Sequence, residues 1–509
     1  MNKTILKFIC GFSLAASVIS CADFLAENPK TFLTPDNYFN TEKQMQAAVD
    51  GLYSHLGGIF NGEIEVQSSR YNFIEYLAGY AVRPRSATTT SFQYAQALSL
   101  TDDINSIEGI WQYHYTAIEN CNSVISGIEA AKKGVTTEAK RNQLLGEAYA
   151  LRAYYYFNLV RLWGPIPYKT TPTTELNNVQ MALTSEEDVY AGIEKDLEAA
   201  DRCMTDVAWM PGTGHIGKAA VKSLMAKVYI TMAGYPLQKG KEYYEKAYDA
   251  AKSIYDNNGA SLFGSYADLR NEGLENTGEF IFCIQREQDK AGSPMHSAII
   301  PYPRSVPEIT ASPDAGGAFA APYSFYNSYG ENDIRKDNRQ FFFWTEDAVD
   351  GSGEVELNVT DHMYVYKFWN DNAASTGKNG MDFALIRYAD ILLTLAEAKA
   401  QADGGSTSDA VAIDAYYKVR SRAVPGESKP SSLSFDTVYK ERFWELCYEN
   451  QTLYDLLRTR KAFDTDNGKI VDLIGFHCPS HDEGVKWEEA DLLLPYPLRD
   501  KRLNPNLKR

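Results

Sequence analysis

The sequence predicts a mainly α protein: an α-α superhelix of about four tetratricopeptide-like helix pairs, interrupted by one long insertion of irregular loops and short strands. Three observations predict it. Residues 146–167 (GEAYALRAYYYFNLVRLWGPIP) continue a helical spacing of apolar and aromatic side chains (Leu145, Ala148, Leu151, Tyr155, Leu159, Leu162) that stops at Gly164-Pro165. Inside it, Leu145-Gly146-x-x-Tyr149 and Ala153-x3-Phe157 alternate small and large residues as a tetratricopeptide helix does. The small positions admit a neighbouring helix, and the aromatics fill the gap beside it. Residues 261–382 differ in kind, being rich in Gly, Pro, Asn and aromatics.

The helices follow in order. Residues 36–56 open on Asp36 as a cap and carry Tyr38, Met45, Val49, Leu52 and Leu56 on one side. Residues 107–131 place Trp111, Tyr115, Ile118 and Ile125 on an apolar side, and Trp111 and Trp163 read as core. The helix containing Gly146 comes next, then residues 185–202. Residues 217–233 repeat the small–large pairing at Ala226 and Tyr229, with residues 242–257 as antiparallel partner. Residues 383–402 pair with 409–423 across a Gly404-Gly405 turn, and a last helix covers 435–461. Within the insertion, strand-like runs fall at 280–285, 340–344 and 363–368. A hundred irregular residues in a helical array point to function, because long ordered loops usually carry it. Repeat stacks mostly bind other molecules, which tilts the reading away from an enzyme.

The amino terminus indicates a tether. Lys3 and Lys7 precede an apolar run at 8–19, of secretory length and too short to span a bilayer, and the run leads into Ser20-Cys21. This resembles a bacterial lipoprotein signal (1–20), with Cys21 as the lipidated residue, 21–30 as tether and 31–509 as a single domain. An ordinary secretory signal is the alternative. Each buried acyl methylene contributes about 0.8 kcal/mol, so acyl chains on Cys21 hold a protein on a membrane without a spanning helix. The formal charge of −17 becomes −19 once Lys3 and Lys7 are removed, an acidic balance that argues against nucleic acid or anionic lipid as partner. The remaining cysteines (Cys121, Cys203, Cys283, Cys447, Cys478) are odd in number and scattered, as buried small hydrophobes are.

Catalysis finds no support. No His-Glu-x-x-His, Gly-x-Ser-x-Gly, phosphate-loop or dinucleotide motif is present, and 67 acidic residues make a chance carboxylate pair inevitable. His477-Cys478-x-x-His481-Asp482 fits no standard zinc spacing. Asp464-x-Asp466-Asn467-Gly468 departs from a calcium loop, with Gly one position early and Gly475 where the closing Glu belongs, and reads as a solvated turn. Neither cofactor nor metal is expected.

Motifs spread along the whole chain resemble the SusD/RagB family of outer-membrane lipoproteins. They are Asp23-Phe24-Leu25 with Pro29, the 146–167 segment, Asp333-x-Arg335 followed by Lys367-Phe368, Arg387-Tyr388-Ala389-Asp390 with Ala396-Glu397-Ala398, Glu441-Arg442 through Glu449 and Asp455, and Leu494-Pro495-Tyr496-Pro497 with Asn504-Pro505-Asn506-Leu507. The resemblance implies a right-handed superhelix, lipid-anchored at the outer membrane and exposed on the cell surface. It would dock on a SusC-like TonB-dependent barrel transporter and capture oligosaccharide on its opposite face without catalysis. A pyranose stacks its C–H face on aromatic rings and needs bidentate partners for its hydroxyls. Two stretches supply such groups. Residues 76–94, where the family places an amino-terminal ligand loop, carry Tyr80, Arg83 and Arg85, and the insertion carries Tyr302, Trp344 and Trp369, along with Tyr323, Tyr326 and Tyr329. The alternative ligand is a peptide, with Arg83 and Arg85 meeting carboxylates.

Overall fold

The structure, a computed structural model, describes residues 38–60, 70–83, 90–175, 179–257, 259–300, 320–343 and 362–508. The expected signal, Cys21 and the expected tether lie outside them. Ten helices carry the architecture: α1 (Glu42–Tyr53), α2 (Asn105–Ala130), α3 (Glu138–Trp163), α4 (Glu186–Cys203), α5 (Lys218–Ala233), α6 (Lys241–Asn257), α7 (Tyr388–Ala402), α8 (Ala410–Ala423), α9 (Phe435–Glu445) and α10 (Thr452–Thr459). From α2 to α8 each packs on the next, so every helix buries its apolar side against two neighbours.

Helix α3 shows how sequence makes this stack. Thr137 caps it by accepting from the Lys140 N–H at 3.2 Å. Nearly every residue from Leu144 to Trp163 is buried, so the helix is enclosed on all sides. Gly146 lets α4 approach: a Cβ there would stand 2.8 Å from Met204 Cγ. Gly164 ends the helix at φ +69, a left-handed conformation that favours glycine. Arg152 of α3 grips Asp196 of α4 through two bonds, Nε at 2.8 Å and Nη2 at 2.7 Å. The carboxy-terminal motif closes back on this helix, with Trp163 Nε1 donating to Pro495 O (2.9 Å) and Leu494 N to Leu162 O (2.8 Å).

Four expected boundaries are corrected. Thr41, not Asp36, caps α1, accepting from Gln44 N at 3.2 Å, and Asp36 lies outside the described residues. Residues 383–387 are a strand, not the start of a helix: β5 (Phe383–Arg387) pairs antiparallel with β1 (Phe280–Ile284). A buried apolar run has no period to separate strand from helix, and an available partner strand decided it. The last helix is broken in two, because Tyr448 and Asn450 adopt positive φ (61 and 53). That turn brings the Asn450 N–H within 2.7 Å of the buried Glu75 carboxylate. Of the run at 340–344, only Phe342–Phe343 is a described strand, and Trp344 lies outside.

The family-like charged motifs lie inside. Arg335 has no exposure; it reaches Asp333 (2.7 Å), Glu441 (2.7 Å) and Glu445 (3.1 Å). Arg387 pairs with Glu279, Glu445 (3.2 Å) and Glu449 (2.6 Å). Arg422 joins Glu279 (2.6 Å) to Glu445 (2.8 Å), while Lys367 pairs with Glu449 and donates to Glu445 O at 2.6 Å. A second knot holds α5, α7, α9 and α10 together: Lys227 and Arg442 meet on Asp390, Arg442 reaches Asp455 at 2.8 Å, and Arg458 binds Glu397 at 2.7 Å. Burial alone would raise the Glu445 carboxyl, but Arg422, Arg387, Arg335 and Lys367 overcome it and hold the group at about 2.

Removing one partner of such a network strands buried charge, so Glu445→Gln is expected to cost about 3–5 kcal/mol in denaturant unfolding. The pH dependence follows from the same group. The folded pKa lies below the ordinary 4.5, so the unfolded chain binds the proton more tightly. The stabilisation from Glu445 is complete above about 4.5 and is lost as pH falls towards 2. Unfolding followed by circular dichroism across this window is expected to steepen in the natural protein and flatten in Glu445→Gln.

Candidate functional site

The insertion builds a three-stranded antiparallel sheet in the order β2 (Ala320–Pro322), β4 (His362–Val365), β3 (Phe342–Phe343). Residue 82 extends it: Val82 N donates to Ala320 O at 2.7 Å, and Ala320 N to Val82 O at 2.9 Å. Val82, Ala320, Tyr364 and Phe343 therefore form one row across four chain segments, about 15 Å wide at ordinary strand spacing. Residue 82 and the insertion, some 240 positions apart in the chain by simple numbering, thus meet edge to edge.

The antiparallel register fixes which chain positions share an end. Arg83 stands at one end of the sheet, since 82 pairs with 320 in antiparallel sense. Pro322 pairs with His362 at the other end, where Phe343 also points its chain and where Tyr323 follows. Arg83, Ala320, Phe343 and His362 of this sheet border, in the chain, the stretches that hold Arg85, Tyr302 and Trp344. Those three residues themselves lie outside the described ones.

Beneath the sheet is a second apolar cluster, separate from the main core, formed by Phe343, Tyr364, Tyr366 and Trp369 with Ile300, Ala320 and Ala374. Tyr366 and Trp369 stack with centroids 5.1 Å apart and planes 14° from parallel, and Phe343 meets Trp369 edge-on at 5.1 Å. The Arg270 guanidinium covers Tyr366 at 4.8 Å.

Two expected ligand contacts are corrected by this packing. Trp369 is 5 % exposed and spends its indole N–H on Asp371 (2.9 Å), so it supports the sheet from within. Tyr80 is also buried; its hydroxyl donates to Phe463 O and accepts from Phe463 N, both at 2.9 Å, and its ring packs on Phe443. Burial pushes that hydroxyl well above its ordinary pKa.

Two of the candidates stand at the ends of the sheet. Arg83 is half-buried, its Nη1 enclosed and without a hydrogen-bond partner among the described residues. At the opposite end, Tyr323 is 41 % exposed, its ring lying near-parallel to Tyr326 at 6.2 Å. Tyr326 and Tyr329 are buried, Tyr329 donating to Trp444 O at 2.9 Å. The i, i+3 spacing puts Tyr323 and Tyr326 on one face of a short helical turn, so spacing alone does not separate the exposed ring from the buried one. The other sequence candidates resolve into packing: Cys478 is buried, and the His481 ring lies against Trp487 at 5.8 Å. Asp464 caps the turn between two hairpin strands by accepting from Asn467 N at 3.1 Å.

Residues 23–230 match the family model described as starch-binding and associating with outer membrane, and residues 239–509 match that of the SusD family. A SusD superfamily protein from Parabacteroides distasonis is 30% identical, with TM-score 0.82 over 93% of this chain and 98% of that one. SusD-like protein P25 of Formosa agariphila is 24% identical, covering 97% of this chain and 96% of its own. A further solved structure, crystallised with a xylogluco-oligosaccharide, has 21% identity and TM-score 0.71 over 91% of this chain and 98% of that one.

If Trp369 is a pillar of the cluster, Trp369→Ala leaves a cavity costing about 3–5 kcal/mol. Tyr80→Phe, which leaves the two Phe463 backbone groups unpaired, is expected to cost about 1–3 kcal/mol. Urea unfolding measures both, and an unchanged midpoint in either variant would return that residue to the list of surface contacts.

Proposed function

The chain belongs to the SusD family, and on that premise we propose that it captures an oligosaccharide at the ends of the three-stranded sheet and delivers it to a SusC-like TonB-dependent outer-membrane transporter, without catalysing a reaction. The observation that carries this reading is the small sheet that joins residue 82 to the insertion, with the exposed ring of Tyr323 at one end and the half-buried Arg83 at the other. An exposed ring offers a stacking face to the apolar side of a pyranose, and a guanidinium offers paired donors to its hydroxyls. Arg85, Tyr302 and Trp344 are proposed as further contacts. The protein is anchored through acyl chains on Cys21 and works at the cell surface. The relative solved with a xylogluco-oligosaccharide supports the choice of ligand class.

Isothermal titration of the full-length chain in detergent against a panel of oligosaccharides, with peptides as controls, tests the reading. Saturable binding to one glycan class is expected. Tyr323→Ala and Trp344→Ala are each expected to weaken it by about ten-fold, the worth of a lost stacking contact of roughly 1.4 kcal/mol. Arg83→Ala is expected to weaken it several-fold. Peptide binding that survives both aromatic changes but not Arg83→Ala would replace glycan with peptide as ligand.

A further inference from the structure

A cavity of about 280 Å³ lies in the helical array, where the ends of α3, α5 and α10 meet the start of α4 and residues 489–493. None of its lining residues belongs to the three-stranded sheet, so it is a different place from the proposed glycan site.

Its lining combines three arginines (Arg161, Arg458, Arg460) and two carboxylates (Glu186, Glu489) with aromatic and apolar walls. Arg161 is sandwiched, its guanidinium carbon 3.8 Å from the Phe157 ring centre and 3.5 Å from that of Tyr454. Its Nε donates to Phe157 O at 3.2 Å and its Nη2 to Asn158, and no ion pair to a carboxylate is formed among the described residues. Burial lowers its pKa, with Tyr454 and Tyr190 opposing the shift. A stacked guanidinium taken from water without an anion is a costly arrangement that a bidentate carboxylate would relieve. Arg458 at the same cavity differs, being neutralised by Glu397 and Asp455.

Tyr190 adds a second group with the same need. Its side chain is 1 % exposed, it lines the cavity, and its hydroxyl has no hydrogen-bond partner among the described residues. A buried hydroxyl left unpaired costs about 1–3 kcal/mol, so a ligand acceptor placed there is favoured. Across the cavity, Arg460 stacks over Tyr235 at 5.1 Å with Glu489 near it, and Tyr235 is 40 % exposed at the mouth. Leu457 and Leu492 supply apolar wall between the two ends.

We propose that this cavity is a second ligand site that takes a compact carboxylate whose other end carries proton donors. The carboxylate lies between Arg161 and the Tyr190 hydroxyl, the body packs on Tyr235 and Leu492, and the donors face Glu489. Two sources share this chemistry: a sugar acid, whose donors are hydroxyls, and an α-amino acid, whose donor is its ammonium group.

Isothermal titration of the full-length chain with glucuronate, phenylalanine and uncharged glucose tests it. One of the two acids is expected to bind saturably, and which one names the source; glucose is expected not to compete with it. Tyr190→Phe removes one hydrogen bond and is expected to weaken the acid by about five-fold, without lowering the thermal midpoint. Arg161→Lys keeps the charge but loses the planar fork, and is expected to bring binding below detection. Neither acid binding, or binding that Tyr190→Phe leaves unchanged, would overturn the proposal.

Discussion

The buried network of Asp333, Arg335, Glu441, Glu445, Arg387, Glu449, Glu279, Arg422 and Lys367 is the constraint on which the molecule depends. Its members come from the insertion, including Glu279 just before β1, from β5, from helices α8 and α9, and from Glu449 in the turn after α9, so one set of charges fastens the irregular part to the regular part. Charges in such a setting are stable only together, because each one's desolvation is offset by the others' fields. That makes the join all-or-none: the insertion docks with every guanidinium and carboxylate in register, or it does not dock. The three-stranded sheet leaves directly from this join, since β4 runs into Lys367, and the sheet inherits its rigidity.

Much of the fold was legible because the helices stack by small–large complementarity, which survives in one sequence. Gly146, Ala153 and Gly164 announced the packing and end of α3, and α4 begins within a residue of the expected 185, whereas α3 starts at Glu138, well before the segment whose spacing is visible. What escaped reading depended on partners distant in the chain. Residues 383–387 are apolar on both sides because β1 and α7 enclose them, so neither helical nor strand period is visible. Tyr448 and Asn450 turn through positive φ with neither Gly nor Pro to mark the break. The charged motifs carried the family resemblance, yet nothing in their spacing said that they pair with one another in the interior.

The site was half legible for the same reason. An aromatic at the surface and one in a satellite core have the same composition around them, and only packing separates Tyr323 from Trp369. Arg161 reads as a cation in the last turn of a helix, a favourable place beside the helix dipole. Its lack of a carboxylate and its enclosure by two rings are tertiary facts. The helical array thus does more than support the loops, since it carries a chemically distinct cavity of its own.

Hydrogen–deuterium exchange of the full-length chain, with and without a bound oligosaccharide, tests the central claim most directly. The account predicts new protection confined to residues flanking the sheet, at 80–83, 320–326 and 362–366, with the ion-paired helices α7 and α9 already protected and unchanged. Protection that appears instead along the exposed faces of α2 to α6, with none at the sheet, would contradict it.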